Sequence, residues 1–210
     1  METETKMRIA ELADFLRDRR PKIMETRQES AVLIPFVEKD GETHILFEVR
    51  SDNVPQPGEV CFPGGRLEGK ERAADCAVRE TKEELGIPKH CIKVLGPFDI
   101  LHNYTNATIY TFIGMLSYED VKRMELNREE VKEAFLVPVS FFTENRPYVY
   151  KYEVAPQIGE DFPYHMLDCP DKYNWRKGSC TVPIFQYEGR VIWGITARIL
   201  CHLLETLKDG

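Results

Sequence analysis

The residues best suited to chemistry are crowded between Gly64 and Ile87, GGRLEGKERAADCAVRETKEELGI, where six acidic residues, an internal Arg and flanking glycines share one short stretch. Start and stop signals predict a helix from about Glu71 to Leu85, with Gly86 just past its end, where a left-handed cap is easiest. At about 100° per residue, Glu80, Glu83 and Glu84 fall on one face, while Ala74, Ala77, Val78, Thr81 and Leu85 take the opposite, mostly apolar side. Carboxylates at i, i+3 and i+4 repel, each pair destabilising a helix by roughly a few tenths of a kcal/mol. A hard divalent cation such as Mg²⁺ or Mn²⁺ removes that repulsion and keeps coordination positions for substrate phosphates. The plain alternative is a solvated acidic face, common in a chain of net charge -7.

The full spacing decides between them. Gly65, Glu71, Arg79-Glu80, Lys82, Glu83-Glu84, Leu85, Gly86 and apolar Ile87 stand in an order that resembles the Nudix box, with Thr81 where the family has an aliphatic residue. The resemblance implies an α/β/α sandwich around a mixed sheet (class α/β, α+β), hydrolysis of a nucleoside diphosphate linked to another moiety, and a Mg²⁺ or Mn²⁺ cofactor. It implies Glu80, Glu83 and Glu84 as metal ligands, with a backbone carbonyl of Gly64 or Gly65 as a further one. It also makes Arg79 a partner of a nearby carboxylate, Glu71 being the candidate, so that Glu83, Glu84, Arg79 and Glu71 form the catalytic group. The general base stays open between a box glutamate and a later carboxylate, for which Glu129, Glu130 and Glu133 are candidates.

Upstream, ILFEVRSDNVPQPGEVCFPGG is similar to the signature of the coenzyme A diphosphatase branch. Arg50-Ser51 match at one end, and Gly58 with Phe62-Pro63-Gly64-Gly65 at the other. The branch has seven residues between those anchors; here there are six, Asp52 to Pro57, and Pro55-Gln56 stand where a second Arg is expected. A charged hydrogen bond to phosphate contributes about 1.5 to 3 kcal/mol, so that missing cation bears on the 3′-phosphate of coenzyme A. Arg50, Ser51 and Phe62 are the substrate-side candidates by resemblance. Arg66 lies in the loop before the helix, and Arg176 in YNWRKGS is a candidate replacement for the missing charge, with Tyr173 or Trp175 offering a face to adenine. ADP-ribose or another nucleoside diphosphate derivative is the rival substrate. A non-catalytic nucleotide-binding module is the rival of another class, and it would ordinarily have lost the box carboxylates.

The elements that must hold this site follow from periodicity. Residues 1–27 read as a helical extension, with Ile9, Leu12, Phe15 and Leu16 at helical spacing from Met7 to Leu16, packed on the main domain or on a second subunit. Residues 28–210 read as the catalytic domain. Ala31–Phe36 and His44–Val49 flank the turn Lys39-Asp40-Gly41-Glu42 as a hairpin, and a short strand covers Val60–Phe62. Ile92–Leu101, Thr108–Leu116, Val131–Val139 and Tyr148–Val154 read as strands, Tyr118–Leu126 as a short helix, and Val182–Gln186 with Val191–Trp193 as a hairpin. Ile195–Leu207 closes the chain as an amphipathic helix.

At 210 residues, with 42% apolar and 30% charged residues, the chain can bury a core. The acidic balance disfavours nucleic acid as a partner. The absence of a long apolar run argues against a membrane span, and the expected location is the cytoplasm. Six cysteines without CxxC spacing read as reduced packing residues. The expected partner is a small nucleotide substrate, and analogy with relatives adds a homodimer.

Overall fold

The computed structural model describes residues 8–19, 21–167 and 173–209. Met7 of the expected first helix and Cys169 lie outside them. In chain order the elements are α1 (Ile9–Arg17), β1 (Gln28–Lys39), β2 (Glu42–Arg50), β3 (Val60–Cys61), β4 (Gly64–Arg66) and α2 (Ala73–Leu85). There follow β5 (Lys93–His102), β6 (Ala107–Leu116), α3 (Tyr118–Lys122), β7 (Val131–Pro138) and α4 (Val139–Glu144). The chain ends in β8 (Tyr148–Val154), β9 (Gly178–Tyr187), β10 (Arg190–Trp193) and α5 (Gly194–Asp209).

Seven strands form one sheet, in the path β3-β2-β1-β6-β5 with β4 on β1 and β7 on β2. β1 and β6 run parallel from Gln28↔Ala107 to Val37↔Leu116, and the other pairings are antiparallel, so the sheet is mixed. β8, β9 and β10 make a second, antiparallel sheet.

Alternation along β1 and β2 divides the core between the two faces of the large sheet. Ala31, Leu33, Val37 and Leu46 pack with Cys76, Ala77 and Leu85 of α2. Ile34, Ile45, Phe47 and Val49 pack with Phe142 of α4 and Leu200 and Leu203 of α5. The sheet is thus covered by helices on both sides, an α/β/α sandwich. Phe47 anchors the α5 side, its ring 5.0 Å from Phe62, 5.8 Å from Phe135 and 6.0 Å from Phe142.

Several expectations change. The box helix begins at Ala73 rather than Glu71. No residue of α1 is buried, so of its two expected placements the one on the main domain is not observed. The helix after β6 stops at Lys122 rather than Leu126. Beyond it the chain turns to cap α2: the Glu125 and Asn127 N–H groups donate to the carbonyls of Leu85 and Glu84, at 3.1 and 2.9 Å. Those terminal carbonyls have no partner within their own helix, and serving them ends α3. Finally, β9 begins at Gly178, well before Val182, because it pairs with β8 from Gly178 to Ile184 and with β10 from Ile184 to Tyr187.

Candidate functional site

α2 is placed by its apolar side and fixed at its end by Gly86, whose φ of 69° is the left-handed cap and whose N–H donates to the Lys82 carbonyl at 2.9 Å. A Cβ there would also lie 2.4 Å from the Glu125 carbonyl oxygen. Thr81 is fully buried and its hydroxyl donates to the Ala77 carbonyl at 2.7 Å, so the one non-aliphatic residue of this face carries its own acceptor.

The acidic side is not a uniformly solvated face. Glu83 is exposed, Glu80 is half-buried and Glu84 is buried at 5% exposure. Glu84 Oε2 accepts the Gly64 N–H at 2.8 Å, which binds the helix to β4. Burial raises the Glu84 carboxyl well above the usual carboxylate range, with the nearby Glu48 charge adding to it. Burial likewise raises Glu80. A Cβ on Gly65 would lie 2.4 Å from the Glu80 carboxyl, so the second glycine of the pair leaves room for that group.

Arg79 organises the cluster. Its Nη2 and Nε donate to Glu71 at 2.8 and 3.2 Å, and Nη2 also donates to the Arg66 carbonyl at 3.1 Å. Its Nη1 meets Glu80 at 2.8 Å and Glu83 at 3.0 Å. The Arg79 hydrogen bonds to Glu71, with that of the Glu68 N–H, hold the Glu71 carboxyl down to about 2. Arg66 therefore takes part through its backbone, while its side chain is exposed.

One member of the site escaped the sequence reading. Glu48 of β2 is 1% exposed; its Oε1 accepts the Cys61 thiol at 3.3 Å, and its Oε2 has no partner. Burial raises its carboxyl, and the charges of Glu130 and Glu80 act in the same direction. A single acid inside the apolar run His44–Val49 was the available signal, since charged residues are rarely buried without a partner.

The substrate-side candidates separate. Ser51 is buried, its hydroxyl donating to the Glu129 carbonyl at 2.5 Å and accepting the Asn53 N–H at 3.2 Å, while its own N–H donates to the Glu130 carbonyl at 2.8 Å. That turn, 127–130, is the one that caps α2, so the Arg50-Ser51 anchor and the box helix meet there. Arg50 Nε donates to the Pro55 carbonyl at 2.8 Å, inside the same loop. Phe62 is 3% exposed and stacked on Phe47, so its ring is core and offers no face to a ligand. Arg176 is exposed on the approach to β9, where Trp175 donates to the Tyr164 hydroxyl and Lys177 pairs with Glu153. None of these contacts reaches the 64–87 segment. Of the candidate bases, Glu133 is paired with Arg190, Glu129 accepts the Asn53 side-chain amide at 3.2 Å, and Glu130 is the one whose charge acts on Glu48, Glu80 and Glu84.

Among the described residues no three acidic, histidine or cysteine side chains stand together as a closed metal site, and Glu80 and Glu83 both pair with Arg79. The donor set nevertheless fits a hard divalent ion. It is built of carboxylate oxygens, two of them half-buried or buried on α2, beside the orphaned Glu48 oxygen. Five described cysteines are free thiols. No described helix is long and apolar enough to cross a membrane.

Comparison with known proteins agrees with this geometry. Residues 27–153 match the NUDIX domain. The chain is 33% identical over 143 residues to the peroxisomal coenzyme A diphosphatase NUDT7 of Mus musculus, covering 67% of this chain and 59% of that protein. It is 33% identical over 112 residues to Nudix hydrolase 3 of Caenorhabditis elegans, covering 52% and 47%. It is 27% identical over 186 residues to the mitochondrial coenzyme A diphosphatase NUDT8 of Homo sapiens, covering 86% and 70%. The matched region thus spans roughly half of the length of the first two relatives.

Proposed function

From the premise that this chain belongs to the NUDIX domain family, we propose that it is a Mg²⁺- or Mn²⁺-dependent hydrolase that cleaves the diphosphate of coenzyme A or an acyl derivative. The observation that carries the proposal is the meeting of the end of the box helix, through the Glu84 backbone carbonyl, and the Arg50-Ser51 anchor at the turn 127–130. Glu84 is fixed by the Gly64 N–H, and Ser51 by the backbone of residues 129 and 130. In this reading Glu80, Glu83 and Glu84, with a backbone carbonyl of Gly64, hold the ion. When bound, the ion would offset the diphosphate charge and acidify a water for attack.

The chain's own residues have separate tasks. Arg79, clamped by Glu71 and the Arg66 carbonyl, positions Glu80 and Glu83, which would hold the ion. Both carboxylates lie on an exposed or half-buried surface, where their side chains are free to turn from Arg79. Glu130, a carboxylate outside the box beside the buried pair, is the candidate general base. Arg50, held in its loop by the Pro55 carbonyl, is the cation next to the diphosphate. The products would be 4′-phosphopantetheine, or its acylated form, and adenosine 3′,5′-bisphosphate.

ADP-ribose hydrolysis is the second reading, favoured by one observation: Pro55 and Gln56 supply no cation for a 3′-phosphate. Mass spectrometry of reactions with Mg²⁺ or Mn²⁺ and a panel of coenzyme A, acetyl-coenzyme A, ADP-ribose and dinucleotides tests both. Phosphopantetheine products are expected. Turnover of ADP-ribose with none of coenzyme A would replace the substrate, and no turnover of any member by folded protein would make the chain a binding module. A cytosolic location and a homodimer belong to the same proposal. Cell fractionation and sedimentation velocity check them.

A further inference from the structure

We propose that Glu48, on β2 and outside the box helix, supplies an additional carboxylate ligand to the divalent-metal centre. This deepens the metal-dependent reading above and rests on it.

Strand geometry aims the side chain. Leu46, two residues earlier and therefore on the same face of β2, packs with Cys76, Ala77 and Leu85 of α2, whereas Phe47 and Val49 point to the α5 side. Glu48 thus faces α2. Its cross-strand neighbour is Cys61, three residues before Gly64, whose N–H holds Glu84. Strand pairing, the turn through Phe62-Pro63 and that one hydrogen bond bring Glu48 and Glu84 near enough for each charge to act on the other.

Burial gives the reason for a ligand. Glu48 is 1% exposed, with one weak thiol donor on Oε1 and nothing on Oε2. A carboxylate so placed is expensive unless a cation or several donors complete it. The charge of Arg50 favours the ionised form, but its Nε is committed to the Pro55 carbonyl and it makes no hydrogen bond to Glu48. The charges of Glu84, Glu80 and Glu130 act the other way and increase the penalty. A hard cation shared by Glu48, Glu80 and Glu84 satisfies the orphaned oxygen and removes the repulsion together, and its preference for oxygen donors matches the set. A purely structural Glu48 has no such compensation, because Gln or an apolar residue would fill the position better.

The test is Mn²⁺ binding to the full chain, followed by electron paramagnetic resonance and calorimetry, together with thermal melting in EDTA. Glu48→Gln should weaken Mn²⁺ binding by about 10- to 100-fold, the scale seen when one group supporting a metal site is lost. Its metal-free form should melt at or above the wild-type temperature, because a buried charge has gone. Glu48→Asp, which keeps the carboxylate but shortens its reach, should fall between wild type and Glu48→Gln. Glu84→Gln serves as the control. If Glu84→Gln weakens binding and Glu48→Gln does not, the inference fails and the box metal site stands. If Glu84→Gln also binds Mn²⁺ as wild type does, the metal-dependent reading itself fails. A Glu48→Gln protein that melts lower than wild type without metal would make Glu48 a structural residue and overturn the inference.

Discussion

Two adjoining stretches of this chain are held in opposite ways. From Gly64 to Leu85 each decisive polar group is fixed from more than one side: Glu84 by the Gly64 N–H and by burial, Arg79 by Glu71 and the Arg66 carbonyl, and the helix end by Glu125 and Asn127. From Asp52 to Pro57 only Val54 is half-buried, and Gln56 sits at a positive φ of 59°. That loop is closed by the Gly58 N–H on the Arg50 carbonyl and by Arg50 on Pro55, with exposed side-chain ties from Asn53 to Glu129 and from Asp52 to Lys132 at 3.9 Å. In the function proposed above, the over-determined stretch carries the reaction and the lightly tied one carries substrate choice, because exposed loop residues can be exchanged without disturbing the packing beneath.

The strongest way to break this contrast is Glu84→Gln. Gln keeps an acceptor for the Gly64 N–H and removes one charge, so the fold should survive, with a melting temperature within a few degrees of wild type. Mg²⁺-dependent kcat should fall by about three orders of magnitude, the upper scale for losing one charged contact to a transition state. Steady-state kinetics beside a melting curve checks both halves. A variant with full activity would remove Glu84 from the chemistry and leave the tightly held stretch with a structural task alone.

A smaller effect is expected in the loop. Pro55→Arg restores a cation near the position where the coenzyme A diphosphatase signature has one. One added charged hydrogen bond to the 3′-phosphate should lower KM for coenzyme A about tenfold relative to dephospho-coenzyme A. Stability should change by no more than about 1 kcal/mol, the usual size of a proline effect in an accommodating loop. Equal KM shifts for the two substrates would show that the loop does not read the 3′-phosphate, and the contrast with the box would lose its functional half.

The same contrast explains what could be read in advance. The box helix, its left-handed Gly86 and the first hairpin were legible because each rests on local chemistry with a fixed period or a fixed turn residue. The mixed sheet between two helical layers was expected from the family resemblance and is present. Glu48 was legible only as an odd acid in an apolar run: positions 44 to 49 are all buried, and in a strand covered on both faces alternation does not reveal which side receives it. The early end of α3 depends on long-range service to the carbonyls of Glu84 and Leu85, which no local propensity encodes. Phe62 matched a motif, yet its ring lies on Phe47, because a motif position records a family's residue without saying which way the side chain points.

The smallest expected effect sharpens the comparison at its edge, at the Arg79–Glu71 clamp. Two Arg79 hydrogen bonds and the Glu68 N–H hold the Glu71 carboxyl at about 2, against an ordinary 4.5. Its folded value is depressed, so the stability it contributes is fully present above the unfolded value and is lost as pH falls through the folded one. The stability difference between wild type and Glu71→Gln should therefore stay constant from about pH 8 to 5, then shrink between about 4.5 and 2 as the unfolded chain takes up its proton first. Urea denaturation at stepped pH measures it. A difference already closing between pH 7 and 5 would mean that Arg79 does not hold Glu71 ionised, and the box would then be tied no more firmly than the loop beside it.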